Sequence, residues 1–258
     1  MSAREQVAFL VGSEHRVGVL ETLAERPSRP CELEESLSAS RATIQRVLAG
    51  LADRGWIRKE GREYRLTAAG DLVLRAYDDL TALVEAVDGM DETLALFDAA
   101  DVAVPPAVVR GATVTAATPQ TPHAPIERYA TALDEADVES FRGVCPIHSS
   151  VFNDVHRPLV EAGCPTELVI DEATFRTARD LAPEALSEAE ESGAFTLYVH
   201  PDPVDVGVSL FDGRAFVGAY DDQGRFRACL HGADESVVEW ARDLYERHRD
   251  AARLVEIA

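Results

Sequence analysis

Apolar residues recur along the chain with several periods, and the changes of period divide it. In the first 70 residues the recurrence is helical: Val7 and Leu10; Val17, Leu20 and Leu23; Leu33 and Leu37; then Ile44, Val47, Leu48 and Leu51. Steps of three and four put each set on one side of a helix, predicting helices over 4–11, 14–25, 31–37 and 41–54. Ser40 stands where an N-cap belongs, able to accept an orphan backbone N–H. Gly55 follows as a left-handed C-terminal position asks. Trp56-Ile57-Arg58-Lys59 and Glu63-Tyr64-Arg65-Leu66 then read as two strands around Glu60-Gly61-Arg62, a short hairpin.

A second pattern starts at Thr67. Val73, Ala76, Leu80, Leu83, Val87, Met90, Leu94 and Phe97 alternate steps of three and four over more than three heptads, an a/d seam. One long helix, interrupted or kinked at Gly89, fits either pairing with a second copy or packing on its own domain. Residues 98–107, with Pro105-Pro106, form a linker.

Beyond it strands and helices alternate: strand 108–118, the loop Thr118–Pro125, helix 126–136, strand 140–147, helix 150–163, strand 167–171 and helix 172–192. Four strands at hairpin spacing follow (195–200, 206–211, 214–220 and 226–231), turning at Asp212-Gly213 and Asp222-Gln223-Gly224. A helix over 234–255 ends the chain. The expected fold class is α+β with two domains: a helical module with a hairpin at 1–70, a connecting helix and linker at 71–107, and an α/β domain with a mixed sheet at 108–258.

Composition changes this picture in one respect. The 258 residues carry a net charge of −21, which by itself argues against a nucleic-acid partner. The charge is unevenly spread, however. Residues 1–70 hold 11 Arg and Lys against 10 Asp and Glu, and residues 71–258 hold 14 against 36. The net charges are therefore +1 and −22. Lys59 is the only lysine, and an acidic, lysine-poor surface resembles proteins of salt-accumulating archaea. At molar salt the screening length shrinks to about 3 Å, so shape and base-edge contacts must supply more of any affinity for DNA. No run approaches the ~18–20 apolar residues that span a bilayer. The first residues do not read as a signal peptide. Cys31, Cys145, Cys164 and Cys229 form no CxxC pair, which predicts reduced thiols in a cytoplasmic protein.

Helix, break, helix and basic ribbon is the layout of a winged helix-turn-helix. The run SASRATIQRVLAGLADRGWI resembles the recognition segment of winged-helix transcription regulators of the ArsR/MarR type. The matching positions are Ser40, Thr43, Arg46, Leu48, Leu51, Gly55, Trp56 and Ile57. Ser40, Arg41, Thr43, Gln45 and Arg46 are the candidates for base edges and nearby phosphates. Arg58, Lys59, Arg62 and Arg65 are the candidates for the backbone of double-stranded DNA. The segments TPQTPHAPIERY, GVCPIHSSVF, ELVIDEATF, FTLYVHPD, VSLFDGRAFVGAYDD and VEWARDLYERHR resemble the sensor domain of the archaeal methanogenesis-regulator family. Together the resemblances imply a DNA-binding regulator, paired as a homodimer, with a domain that senses a small-molecule effector or mediates assembly. They name no ligand.

Ligands in open α/β sheets gather outside the carboxyl ends of parallel strands. This makes Thr118, His123, His148 and Ser149 pocket candidates, with Arg128 and Tyr220 beside them. Cys145, His148, His156, Cys164, Cys229 and His231 lack the paired spacing of a zinc site, so no metal or cofactor is expected. A phospholipase D-like reaction needs a His-x-Lys pair, and a P-loop needs its Lys. Lys59 sits in the ribbon, so neither is available, and no GxSxG or GxGxxG occurs. A protein-interaction module built on the winged helix, or a small-molecule enzyme, are the competing classes. The latter's remaining nucleophile is Cys145 near His148 or His156.

Overall fold

A computed structural model describes residues 2–255, and the chain forms two compact units, Met1–Glu85 and Ala86–Ala258. The first unit is built from α1 (Ala3–Val11), α2 (Glu14–Glu25), α3 (Pro30–Ser36), α4 (Arg41–Ala52), a hairpin of β1 (Ile57–Glu60) and β2 (Glu63–Leu66), and α5 (Ala68–Val87). Its core is the helical pattern read from the sequence: Val17, Leu20, Leu23, Leu33, Ile44, Val47, Leu48 and Leu51 are buried together with Trp56, Ile57 and Leu74. Two glycines make the packing possible. A Cβ on Gly50 would lie 2.7 Å from the Phe9 ring, and one on Gly70 only 2.0 Å from the Trp56 carbonyl oxygen.

That carbonyl is also the anchor of α5. Trp56 O accepts from the Thr67 backbone N–H at 3.0 Å and from Thr67 Oγ1 at 3.0 Å. Thr67 Oγ1 donates to Gly55 O at 2.7 Å and accepts from Gly70 N at 3.1 Å. The start of α5 and the base of the hairpin are therefore clamped together.

The predicted helix through residue 97 does not form as one piece. It ends at Val87, and Gly89 takes φ +77°, a conformation closed to most side chains. The second half of the apolar repeat belongs to α6 (Asp91–Ala99), whose Phe97 is buried edge-on to Trp240 at 6.0 Å.

The second unit continues with α7 (Pro106–Gly111), β3 (Thr113–Ala116), α8 (Ala124–Asp134), β4 (Phe141–Val144), α9 (Ser150–Glu161), β5 (Thr166–Asp171), α10 (Glu172–Leu181) and α11 (Pro183–Glu191). After these come β6 (Phe195–His200), β7 (Val206–Phe211), β8 (Arg214–Tyr220), β9 (Phe226–Gly232), α12 (Glu235–Ala251) and β10 (Arg253–Val255). The strands form one eight-stranded sheet in the order β10-β6-β5-β4-β7-β8-β9-β3. β4, β5 and β6 run parallel and every other pairing is antiparallel, so the sheet is mixed, as expected.

Three predicted boundaries shift, two of them for reasons of proline chemistry. The strand read over 108–118 opens instead as α7, because Pro106 supplies the fixed φ of a first helical turn. The helix read over 172–192 splits at Ala182, where Pro183 has no N–H to continue the ladder and starts α11 instead. The terminal helix stops at Ala251, and Arg253–Val255 pairs antiparallel with β6 at the sheet edge.

The two faces of the sheet are covered differently. α12 packs across β4, β6, β7, β8 and β9. Along β5, Glu167 turns toward that helix, where Tyr245 OH donates to it at 2.5 Å. The alternate residues Thr166, Leu168 and Ile170 face the other way, into a space roofed by α9, α10 and α11.

Candidate nucleic-acid interface and sheet-face cavity

In the first unit, Ser40 caps α4 as predicted: its Oγ accepts from Thr43 N at 3.2 Å and lies 2.9 Å from Thr43 Oγ1. Ile44, Val47, Leu48 and Leu51 fill one side of the helix. Arg41, Gln45 and Arg46 are left on the exposed side, with Thr43 half-buried at its margin. Beyond α4, Arg58, Lys59, Arg62 and Arg65 are all exposed on the hairpin. Arg58 and Arg65 are direct cross-strand partners, an arrangement that would repel. Glu60 relieves it by bridging both, at 2.8 Å to each guanidinium.

Arg16, at the start of α2, carries no sequence signal of a role. Its guanidinium and that of Arg54 stack on the Phe9 ring at 4.0 and 3.4 Å from the centroid. Arg16 also donates to the Phe9 carbonyl. Partial burial first, then the neighbouring charges of Arg54 and Arg46, hold its pKa below the usual arginine value. A basic cluster thus flanks Arg46, assembled from three elements that no local spacing could join. Arg54 contributes to it from a packed position, with Nη1 donating to Gly50 O at 2.8 Å, so its charge is tied to the fold.

In the second unit the space under α9, α10 and α11 is a cavity of 160 Å³ that runs along the sheet face from the start of β4, β5 and β6 (Phe141, Thr166, Phe195) to the loop after β4. His148 and Ser149 line its mouth as expected, and Thr174 Oγ1 braces that loop by donating to Pro146 O at 3.0 Å. A smaller chamber of 40 Å³ adjoins it, sharing Phe141, Cys145, Phe152, His156 and Leu168 as walls, and Tyr220 lines this one. Thr118, His123 and Arg128 are not there. β3, expected to run parallel near β4, instead pairs antiparallel with β9 at the far edge, with three strands between it and β4. Thr118 turns back onto Thr121 at 2.8 Å, His123 is exposed before α8, and Arg128 lies close enough to Cys229 and His231 to bias their protonation.

Residues 122–251 match the family model of the methanogenesis regulatory protein FilR1, middle domain. The chain belongs to the FilR1 middle-domain family. Residues 4–89 match a second family model, the HVO_A0261 N-terminal domain. No curated protein matches the chain as a relative. Among solved structures, the archaeal chromatin protein TrmBL2, described with a novel mode of DNA binding, is 14% identical, with 98% of this chain and 100% of that chain covered and a TM-score of 0.42. Nuc from Salmonella typhimurium, a phospholipase D family member, is 15% identical over 56% of this chain and 99% of that one, with a TM-score of 0.45. Both scores lie below 0.5.

The FilR1-family region contains both chambers, and beside Cys145 and His156 two polar groups that the sequence did not single out, Tyr129 and Ser209, line them. Tyr129 OH lies 2.6 Å from His156 Nε2, whose Nδ1 lies 2.8 Å from the Phe152 carbonyl. Since a carbonyl only accepts, Nδ1 carries the proton and Tyr129 donates to Nε2. Ser209 Oγ donates in turn to Tyr129 OH at 3.2 Å. Burial drives the His156 pKa down to about 4, leaving the ring neutral. Burial also pushes the Cys145 thiol up to about 11, and Cys145 donates to Ile147 O at 3.1 Å; a protonated thiol is a poor nucleophile. Among the described residues no three His, Cys, Asp or Glu side chains gather as a metal would need, and no helix is long and apolar enough to cross a membrane.

Proposed function

We propose that the protein is a cytoplasmic transcription regulator whose first unit is a winged helix-turn-helix that reads double-stranded DNA, and whose FilR1-family unit senses a small-molecule effector. One observation carries the reading. A helix buries its whole apolar side and turns Arg41, Gln45 and Arg46 outward, and a hairpin with Arg58, Lys59, Arg62 and Arg65 exposed follows it. Major-groove readout by the helix and phosphate contacts by the ribbon use those two features. The near-neutral charge of residues 1–70, +1 against −22 in residues 71–258, keeps attraction for phosphate local. The protein acts as a homodimer in this reading. Leu72, Leu80 and Val84 of α5 are 69%, 53% and 59% exposed, and a second copy of α5 would cover them while spacing two half-sites. The chamber walls supply binding groups and no activated nucleophile, so the second unit is assigned no catalysis.

A second reading draws on Glu60. A ribbon whose arginines are bridged by the chain's own carboxylate suits a protein partner as well as DNA. Gel shifts with the region upstream of its own gene, at low and high salt, separate the two. Retarded DNA that Arg46→Ala releases supports the DNA reading; no retardation at any salt overturns it.

A further inference from the structure

We infer that the two joined chambers of the second unit hold an uncharged single-ring aromatic molecule bearing one hydrogen-bond acceptor, with the ring in the larger chamber and the acceptor toward the Tyr220 hydroxyl. This rests on the effector-sensing reading above.

Size sets the first limit. The larger chamber measures 160 Å³, and an apolar cavity of roughly 150 Å³ accommodates one benzene ring. Its lining sets the second. Leu168, Ile170 and Leu197 rise from the sheet as a floor, and Phe141 and Phe152 stand as walls. The roof helix α9 buries none of its own residues, although its apolar side faces the sheet, so the space beneath it is only partly filled.

Charge sets the third limit. The inner titratable groups are His156, Cys145, Tyr129 and Tyr220, and burial favours the neutral form of each. Of the charged side chains that line the space, Arg157 is paired with Asp154 at 3.0 Å and Glu188 is exposed, both at the outer rim. The buried Asp171 carboxylate near Cys145 is not in the lining and is already taken by the backbone N–H groups of Thr174 and Val204. A carboxylate or ammonium taken inside would lose its hydration without gaining a counter-charge, at a large cost.

Hydrogen bonding sets the last. Ser209, Tyr129 and His156 form a chain in which each proton is already donated onward. The Tyr220 hydroxyl makes no hydrogen bond among the described residues. Its ring stacks on Phe226 at 5.2 Å, and its oxygen passes over Gly207, where a Cβ would sit 2.8 Å from it. Tyr220 is half-buried, and its hydroxyl, which has no protein acceptor, gains from any acceptor that reaches it inside the chamber.

Titration of the full-length protein with three probes of equal shape tests this: acetophenone, its hydrocarbon counterpart α-methylstyrene, and benzoate. Acetophenone is expected to bind about tenfold more tightly than α-methylstyrene, the gain of roughly one buried hydrogen bond, and benzoate more weakly than either. Tyr220→Phe should remove the acetophenone advantage and leave α-methylstyrene unchanged. Ala189→Leu, which fills the larger chamber, should abolish binding of all three. Absence of ring binding up to about 5 mM, benzoate binding as well as acetophenone, or an advantage that survives Tyr220→Phe would each overturn the assignment. A DNA gel shift on the same samples separates this result from the regulator reading. DNA binding without ring binding overturns the chamber assignment alone, whereas no DNA binding overturns the regulator reading whatever the rings do.

Discussion

The two units use polar chemistry in opposite ways. The first packs a small apolar core tightly and turns its arginines outward, where a large polyanion could meet them. The second turns its carboxylates outward and encloses its hydroxyls and imidazole around a space one ring wide. Exposed charges act through geometry and salt, and each contributes little to stability. Enclosed polar groups act through burial, which shifts their protonation and makes an unmade hydrogen bond costly. A substitution should therefore be felt as folding in one place and as recognition in the other.

The largest effect tests the packing contrast. Leu48→Ala, in the filled core, should destabilise the first unit by about 2–5 kcal/mol, measured by urea unfolding. Leu159→Ala, at a half-buried position, should cost less, about 1 kcal/mol, since less apolar surface leaves the interior. Equal costs would break the contrast. Acid tests the enclosed histidine next. The His156 pKa lies near 4, below its unfolded value of about 6.5, so the unfolded chain binds more protons between those limits. Stability is thus full above about pH 6.5 and falls as pH drops toward 4, by about 2 kcal/mol at pH 5 for this residue. His156→Gln should flatten that part of the pH profile.

Recognition effects are of similar size or smaller. Arg46→Ala should weaken DNA binding by about 1–3 kcal/mol if it reads a guanine, with cognate and scrambled DNA then bound alike. The smallest change sharpens the account of the hairpin. Glu60→Gln frees Arg58 and Arg65, and should strengthen DNA binding by less than about 1 kcal/mol, vanishing at high salt. Weaker binding would assign Glu60 a role in holding the arginines in place.

Most of the first unit was legible in the sequence because its interactions are local. Ser40 reaches Thr43, and Gly55 ends its helix, within a few residues. The cluster of Arg16, Arg46 and Arg54 on Phe9 was not, because three separate elements meet there. In the second unit, element types could be read but pairing could not. A four-residue strand such as β3 carries no mark of its partner; because β3 pairs with β9 at the far edge, the loop and helix that follow it carry Thr118, His123 and Arg128 away from His148. The Tyr129–His156–Ser209 chain joins residues 27 and 80 positions apart, and no spacing rule reaches that far.

The clamp at the Trp56 carbonyl has a mechanical consequence. A loop between the hairpin and α5 would let either turn without the other, but no slack remains here. Thr67 holds two successive carbonyls, and Gly70 presses so closely that even a methyl group would be refused. The first turn of α5 and the base of the ribbon therefore turn as one piece, and the next left-handed glycine along the chain, Gly89, comes only after the helix has ended.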